Sequence, residues 1–336
     1  MGEFFDGTLR GLAVAITVVA LAALIGAGYQ ILSEQADLKR YRPPGQLIDI
    51  GGRKLHLLCA GPARGPTVVI EAGSGNDSML WEDMVRRVSA FSHVCTYDRA
   101  GLGWSDPAPG PRSFDDRAAE LNVLLGAANV PRPFVLVGHS YGGYIVRRFA
   151  AMYPADVAGM MLVDASEEEF AYAPEGLLDI EAIGRQAWRV GWLARLGLLR
   201  ACVRLFPDHF DPVRGVPAEV RGLMTALYLR ASRHFAIADE MAAYEKVPTA
   251  WRMAHGFGVL GTMPLAVISR GAKDPYSGVD TFPEWQDAQR RLTTLSTVST
   301  HVIAENSGHM IQFSEPQLIA GAIRRVLSEI AKPPSQ

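Results

Sequence analysis

Charge of either sign is missing from Gly11 to Ser33, GLAVAITVVALAALIGAGYQILS, and the whole chain carries little net charge, with 33 Lys and Arg against 35 Asp and Glu. A net charge of −2 leaves no global pull toward nucleic acid or acidic substrates, so nucleic acid is not an expected partner. Cysteine is scarce: Cys59, Cys95 and Cys202 form no CxxC pair, which excludes a cysteine metal cage and argues against a disulfide scaffold. Cys59 and Cys95 do fall in expected strands, and a bridge between them would mark an oxidising compartment. Internal repeats and low-complexity tracts are missing too. Asp6 stands where an N-myristoylation signal needs Ser or Thr.

What is present starts with that uncharged run. At about 1.5 Å per residue it spans the roughly 30 Å hydrocarbon core of a bilayer, and it is read as a transmembrane anchor over residues 11–33 behind a tail of residues 1–10. A cleaved signal peptide is the competing reading, with Gly26-Ala27-Gly28 near the cut, but the run is longer than a usual signal core. Lys39, Arg40 and Arg42 outnumber Arg10, which by the positive-inside rule would put the body in the cytoplasm, but a single helix with a short tail is a poor case for that rule and the orientation stays open. Residues 34–46, ending in Pro43-Pro44-Gly45, read as a linker.

From Leu47 the pattern becomes strand, helix, strand, helix. TVVIEAG, HVCTYD, FVLVG, GMMLVDA and PLAVISRG are buried-strand runs, with helical spacing between several of them. Such alternation implies a mostly parallel sheet covered on both faces, an α/β fold with core segments 47–165 and 263–331. Residues 166–262 lose the alternation and read as an inserted helical cap; residues 332–336 are a tail. Within the cap, Arg185, Arg189, Arg200 and Arg204 share an arc at helical spacing, so the helix either lies on anionic lipid or packs its apolar side inward with the arginines solvated.

The chemistry is concentrated in GHSYG, residues 138–142, between a buried strand and a helix. A turn that sharp needs glycine at its flanks, and it holds Ser140 on a corner with the helix N-terminus behind it. A serine hydroxyl needs a base, and the base needs an acid to orient it. His309 in ENSGHMIQFSEP, beyond the last expected strand, is the base; His139 points the wrong way, and His209, His234, His255 and His301 read as core or solvated. Asp274, past the PLAVISRG strand, is the first choice of acid. Asp164, ending MMLVDAS, is the alternative, and Asp280 comes third. Oxyanion donors are expected from the backbone N–H of Tyr141, after the nucleophile, and of Ser74 in Gly73-Ser74-Gly75.

GHSYGG, YDRAGLGWSDP, AMYPADVAGMMLVD and SGHMIQFSEP, in that order, resemble the α/β-hydrolase superfamily over about residues 47–330. The resemblance implies an eight-stranded sheet with its second strand antiparallel, a helical cap after the sixth strand, and a Ser140-Asp274-His309 triad. It sets the second and fourth strands side by side, keeping a Cys59–Cys95 bridge open, and it makes Asp98 and Arg99 structural. The chain departs from the pattern at Glu71-Ala72-Gly73, where many relatives have His-Gly. Serine at the nucleophile position argues against the aspartate-dependent epoxide hydrolases and dehalogenases, and no metal or organic cofactor is implied. The expected function is a membrane-anchored serine hydrolase, carboxylesterase or lipase-like, acting on a small acyl ester with a hydrophobic moiety. A proline-releasing aminopeptidase, gripping a free amine with Glu167, Glu168 and Glu169, is the rival enzyme. A non-catalytic membrane-tethered binding protein is the rival outside enzymes.

Overall fold

The computed structural model describes residues 2–168, 179–213, 218–245, 260–272 and 282–332, with side chains from residue 8 onward. The apolar runs become strands because β-branched and aliphatic residues tolerate burial on both faces of a parallel sheet. They are β3 (Thr67–Glu71), β4 (Val94–Tyr97), β5 (Phe134–His139), β6 (Val157–Val163) and β7 (Leu265–Arg270), nearly every residue buried. β1 (Gln46–Asp49) and β2 (Lys54–Ala60) form an antiparallel hairpin at one edge, and β8 (Ser299–Ala304) closes the other. The strand order is β1-β2-β4-β3-β5-β6-β7-β8, with β2 antiparallel to both its neighbours and the pairs from β4 to β8 parallel. This is the α/β-hydrolase arrangement.

Helices follow in chain order: α1 (Gly2–Arg40), α2 (Glu82–Ser89), α3 (Phe114–Ala127), α4 (Gly142–Met152), α5 (Ile180–Arg195), α6 (Leu198–Leu205), α7 (Ala218–Tyr228), α8 (Ala231–Glu245), α9 (Phe282–Thr293), α10 (Ile311–Ser314) and α11 (Pro316–Ile330). Leu121 and Leu124 of α3, Phe149 of α4 and Leu292 of α9 cover one face of the sheet. Val85 of α2 and Ile319 and Ile323 of α11 cover the other, with Trp81 beside them. Each fully buried aliphatic side chain contributes about 1.5–3 kcal/mol, so these two layers hold the strand ends in place.

Cys59 and Cys95 are directly opposite in the β2–β4 register, and their sulfurs are bonded. Two expectations about organisation change. The segment read as a linker from residue 34 stays helical to Arg40, because SEQADLKR is made largely of good helix formers; the helix ends before Pro43-Pro44, where α geometry is disfavoured. The cap over 166–262 is not one body. One compact unit comprises residues 1–42 and 185–238, the other residues 43–184 and 239–336, so the division falls within α8. The reason lies in Asp239 and Glu240, whose carboxylates are held by arginines of the larger unit: Arg112 and Arg117 for Asp239, Arg99 for Glu240.

Candidate active site

β5 ends at His139 and α4 begins at Gly142, so two residues turn strand into helix. Ser140 makes that turn at φ 51°, a left-handed conformation that costs a non-glycine residue energy and is kept only where the surroundings impose it. Its N–H donates to the Val163 carbonyl (3.2 Å), and its carbonyl accepts from the N–H groups of Gly143 (2.9 Å) and Ser166 (3.1 Å). The flanking glycines are forced by close approach. A Cβ on Gly142 would lie 2.5 Å from the Glu71 carbonyl oxygen, and one on Gly138 2.9 Å from that of Gly142. Ser140 is half-buried, at the N-terminal end of α4 where the helix dipole is positive.

β6 runs parallel to β5 with Val163 paired to His139, and the next residue, Asp164, also has positive φ, 41°. Its carboxylate is fully buried and fully engaged. Oδ1 accepts from Arg270 N–H (3.0 Å) and Trp285 Nε1 (2.7 Å), while Oδ2 accepts from Arg270 Nη1 (3.3 Å) and His309 Nδ1 (2.6 Å). Burial alone would raise its pKa. The hydrogen bond and charge of His309 and the Arg270 guanidinium outweigh that and hold it below the ordinary aspartate range. The carboxylate accepts, so Nδ1 of His309 is the donor in this bond. Asp274, the first choice of acid, lies outside the described residues, as does Asp280.

His139, fully buried, stacks on His309 with ring centroids 4.7 Å apart and donates from Nε2 to the His309 carbonyl (3.0 Å). Burial, then the neighbouring His309, pushes its pKa down to about 3, so it is a neutral spacer fixing the histidine loop. His301 bonds Ser269 and His234 bonds the Tyr228 carbonyl, each away from Ser140's turn in the chain.

The Gly73-Ser74-Gly75 loop is held by groups that sequence reasoning did not connect. Arg99 donates from Nη1 to Glu71 (2.5 Å) and the Ala72 carbonyl (2.7 Å), from Nη2 to the Gly73 carbonyl (2.6 Å), and from Nε to Glu240 (2.7 Å). Glu240 also accepts from Ser74 Oγ (2.7 Å) and from the N–H of Gly75 (2.8 Å). Gly75 N–H thus points at a carboxylate, while among the described residues the N–H groups of Ser74 and Tyr141 meet no hydrogen-bond acceptor. Burial works to raise the pKa of Glu240, and the Arg99 and Arg117 charges hold it low. Tyr141's ring lies under Arg99 and Arg117, with guanidinium carbons 5.4 and 5.8 Å from its centroid. No spacing in the sequence links Arg99 to Glu240; Glu71, beside a loop that departs from the family pattern, was the hint. Asp98 is structural as expected, accepting from the N–H groups of Ser78 (2.7 Å) and Trp104 (2.9 Å) and bonded to His56 (2.9 Å).

The acidic cluster expected to grip an amine is already occupied. Glu167 takes two hydrogen bonds from Arg291 (3.0 and 2.7 Å) and Glu168 one from buried Arg147 (2.7 Å); Glu169 lies outside the described residues. Among the described residues, Cys59, His93 and Cys95 are close enough to share a metal ion, but the bridge uses both sulfurs.

Comparison with known proteins agrees with this architecture. The model of the alpha/beta hydrolase family matches residues 68–322. The uncharacterized protein YqjL of Bacillus subtilis is 27% identical over 274 residues, covering 82% of this chain and 88% of that protein. A thermophilic esterase from Thermogutta terrifontis superposes with a TM-score of 0.60 at 20% identity, over 83% of this chain and 95% of the esterase. An epoxide hydrolase from Bacillus megaterium does so at 0.62 and 16% identity, over 84% and 100%. The sheet order, the strand-to-helix turn at Ser140 and the family match over most of the sequence agree: the chain belongs to the alpha/beta hydrolase family.

Proposed function

We propose that the protein is a serine hydrolase that cleaves a carboxylic ester with a hydrophobic moiety through an acyl-enzyme, Ser140 being the nucleophile, His309 the general base and Asp164, in place of Asp274, the acid. The observation that carries this reading is the His309 Nδ1–Asp164 Oδ2 hydrogen bond of 2.6 Å at the end of the strand next to the one that presents Ser140. In the reaction, His309 Nε2 takes the Ser140 proton as Oγ adds to the ester carbonyl, and the buried charge of Asp164 stabilises the imidazolium. The Ser74 and Tyr141 N–H groups receive the oxyanion. His309 returns the proton to the leaving alcohol, then activates water to release the acid. Arg99 and Glu240 position the Ser74 loop.

The amine-gripping reading loses its support because Glu167 and Glu168 are neutralised by arginines. A fluorophosphonate probe tests the nucleophile: wild type labels and Ser140→Ala does not. Turnover of a p-nitrophenyl ester series beside prolyl amides tests the substrate class; cleavage of the amides alone would overturn it.

α1 anchors the enzyme in a membrane. Thr8–Arg40 is long and apolar enough to cross one, and its C-terminal half is bonded into the smaller unit, which supports an anchor over a discarded signal. The Cys59–Cys95 bridge supports a body on the oxidising side, against the orientation implied by Lys39, Arg40 and Arg42.

A further inference from the structure

α5 inverts the usual amphipathic rule. Its buried strip is small, Ala187, Gly191 and Ala194, with Gly191 set against the Phe235 ring. Its large apolar side chains point out: Trp188 is 55% exposed, Trp192 43% and Leu193 44%. Leu198, opening α6, is 50% exposed. A water-facing helix would bury these and expose its small residues.

The turn joining α5 to α6, at Leu196-Gly197, sits directly on α1. A Cβ on Gly26 would run into the Leu196 carbonyl, and one on Gly197 would lie 2.6 Å from the Gly26 carbonyl oxygen, whereas Gly28 has open space around it. Polar contacts continue the attachment toward the C-terminal end of α1. Gln30, a polar residue inside the apolar run, is 2% exposed; it donates to the Leu229 carbonyl (2.8 Å) and accepts from Arg200 Nε (3.1 Å). Arg200 also pairs with Asp37 (2.8 Å) and Arg230 with Glu34 (3.1 Å). The hairpin is thus held at a defined level of α1. Gly26 precedes Ser33, the end of the charge-free run, by two turns of helix, or about 10 Å along the axis.

We propose that the α5–α6 hairpin enters the bilayer beside α1, seating Trp192, Leu193 and Leu198 among the lipid acyl chains and Trp188 nearer the headgroups. The proposal rests on the reading of α1 as a membrane anchor and adds a second element at the same membrane. A tip about 10 Å inside the apolar edge matches the roughly 5–10 Å to which interfacial helices sink, and tryptophan is the side chain that prefers that boundary. Arg189 and Arg195, exposed on the same helix, have aliphatic stems that can lie along acyl chains while their guanidinium groups reach toward lipid phosphates. The bilayer is the occupant that continuity with α1 selects, because any other would have to cover a surface flush with a lipid-embedded helix.

The test uses the full, unreduced chain carrying Cys202→Ala, which removes the free thiol while Cys59 and Cys95 stay bridged, with single cysteines labelled by an environment-sensitive nitrobenzoxadiazole dye. Leu193→Cys and Leu198→Cys report the hairpin, Val18→Cys reports α1, and Val123→Cys, exposed on α3, is the aqueous reference. In phosphatidylcholine–phosphatidylglycerol vesicles, the hairpin and Val18 labels are expected to emit at shorter wavelength and lose intensity to nitroxide-bearing lipid tails, with no change at Val123. Quenching at Val18 without quenching at Leu193 and Leu198 overturns the hairpin insertion and leaves the anchor standing. No quenching at Val18 overturns the anchor and the proposal with it. Hairpin labels shielded in detergent in a concentration-dependent way, and unquenched by lipid, assign the surface to a second copy of the chain and also overturn it. In the unlabelled protein, brominated lipid should quench wild-type tryptophan emission more than that of Trp192→Phe, a readout that needs no new cysteine to fold.

Discussion

Ser140 and Asp164 hold equivalent posts on neighbouring strands: each directly follows one member of the paired residues His139 and Val163, and each has positive φ, 51° and 41°. Two adjacent parallel strands therefore end in the same unfavourable conformation, side by side. Such conformations persist where surrounding contacts over-determine them, here the glycine-lined contacts around Ser140 and the four hydrogen bonds to the Asp164 carboxylate.

The two candidate acids are separated by substitution. Asp164→Asn keeps the volume but removes the charge that orients His309, and kcat for a p-nitrophenyl ester is expected to fall by roughly ten-thousand-fold. Asp274→Asn should leave most of the activity. Steady-state kinetics on both variants check this; the reverse pattern returns the acid to Asp274.

Glu240 is expected to act by positioning. Glu240→Gln keeps an acceptor for Ser74 Oγ or Gly75 N–H and should lower kcat roughly ten- to a hundred-fold with little change in KM and none in the shape of the pH profile. Glu240→Ala leaves Arg99 paired only with Glu71 in a buried site, at a cost of about 3–5 kcal/mol in urea unfolding. Unchanged kcat in both variants would show that the Ser74 loop needs no such brace.

His139 gives stability a pH dependence. Its folded pKa is pushed down to about 3, below the ordinary 6.5, so between these values the unfolded chain binds a proton that the folded one refuses. Acidification through that window destabilises the fold by about 1.4 kcal/mol per pH unit for this group. His139→Gln retains a donor for the His309 carbonyl and should show a shallower fall of stability between about pH 6 and 4.5. His234, pushed down to about 4, keeps some slope in both proteins. Denaturant midpoints across pH measure the difference.

The β2–β4 bridge predicts thiol accessibility. Denatured without reductant, the protein should alkylate at Cys202 only, and after reduction at all 3 cysteines. Mass spectrometry reads the count. Three modified cysteines without reductant would place the body in a reducing compartment, contrary to the proposed orientation.

Local pattern determined much of this protein: the alternating apolar runs dictated a covered parallel sheet, Gly138 and Gly142 marked a turn only small residues can make, and the charge-free run marked the apolar stretch of α1, though not its ends. These features were legible because each depends on residues a few positions apart. The His309–Asp164 hydrogen bond was not, since 145 positions separate the two residues and only the position of the His309 loop across the sheet ends brings the Asp164 carboxylate within 2.6 Å. Nor was the Glu71–Arg99–Glu240 brace, whose members are 28 and 141 positions apart and whose pairing follows from burial of charges that cannot remain alone. The outward face of α5 was hidden for the same reason. Its spacing allowed arginines or tryptophans outside, and the contacts of Gly191 and of the Leu196-Gly197 turn, made only in the folded chain, decided for both.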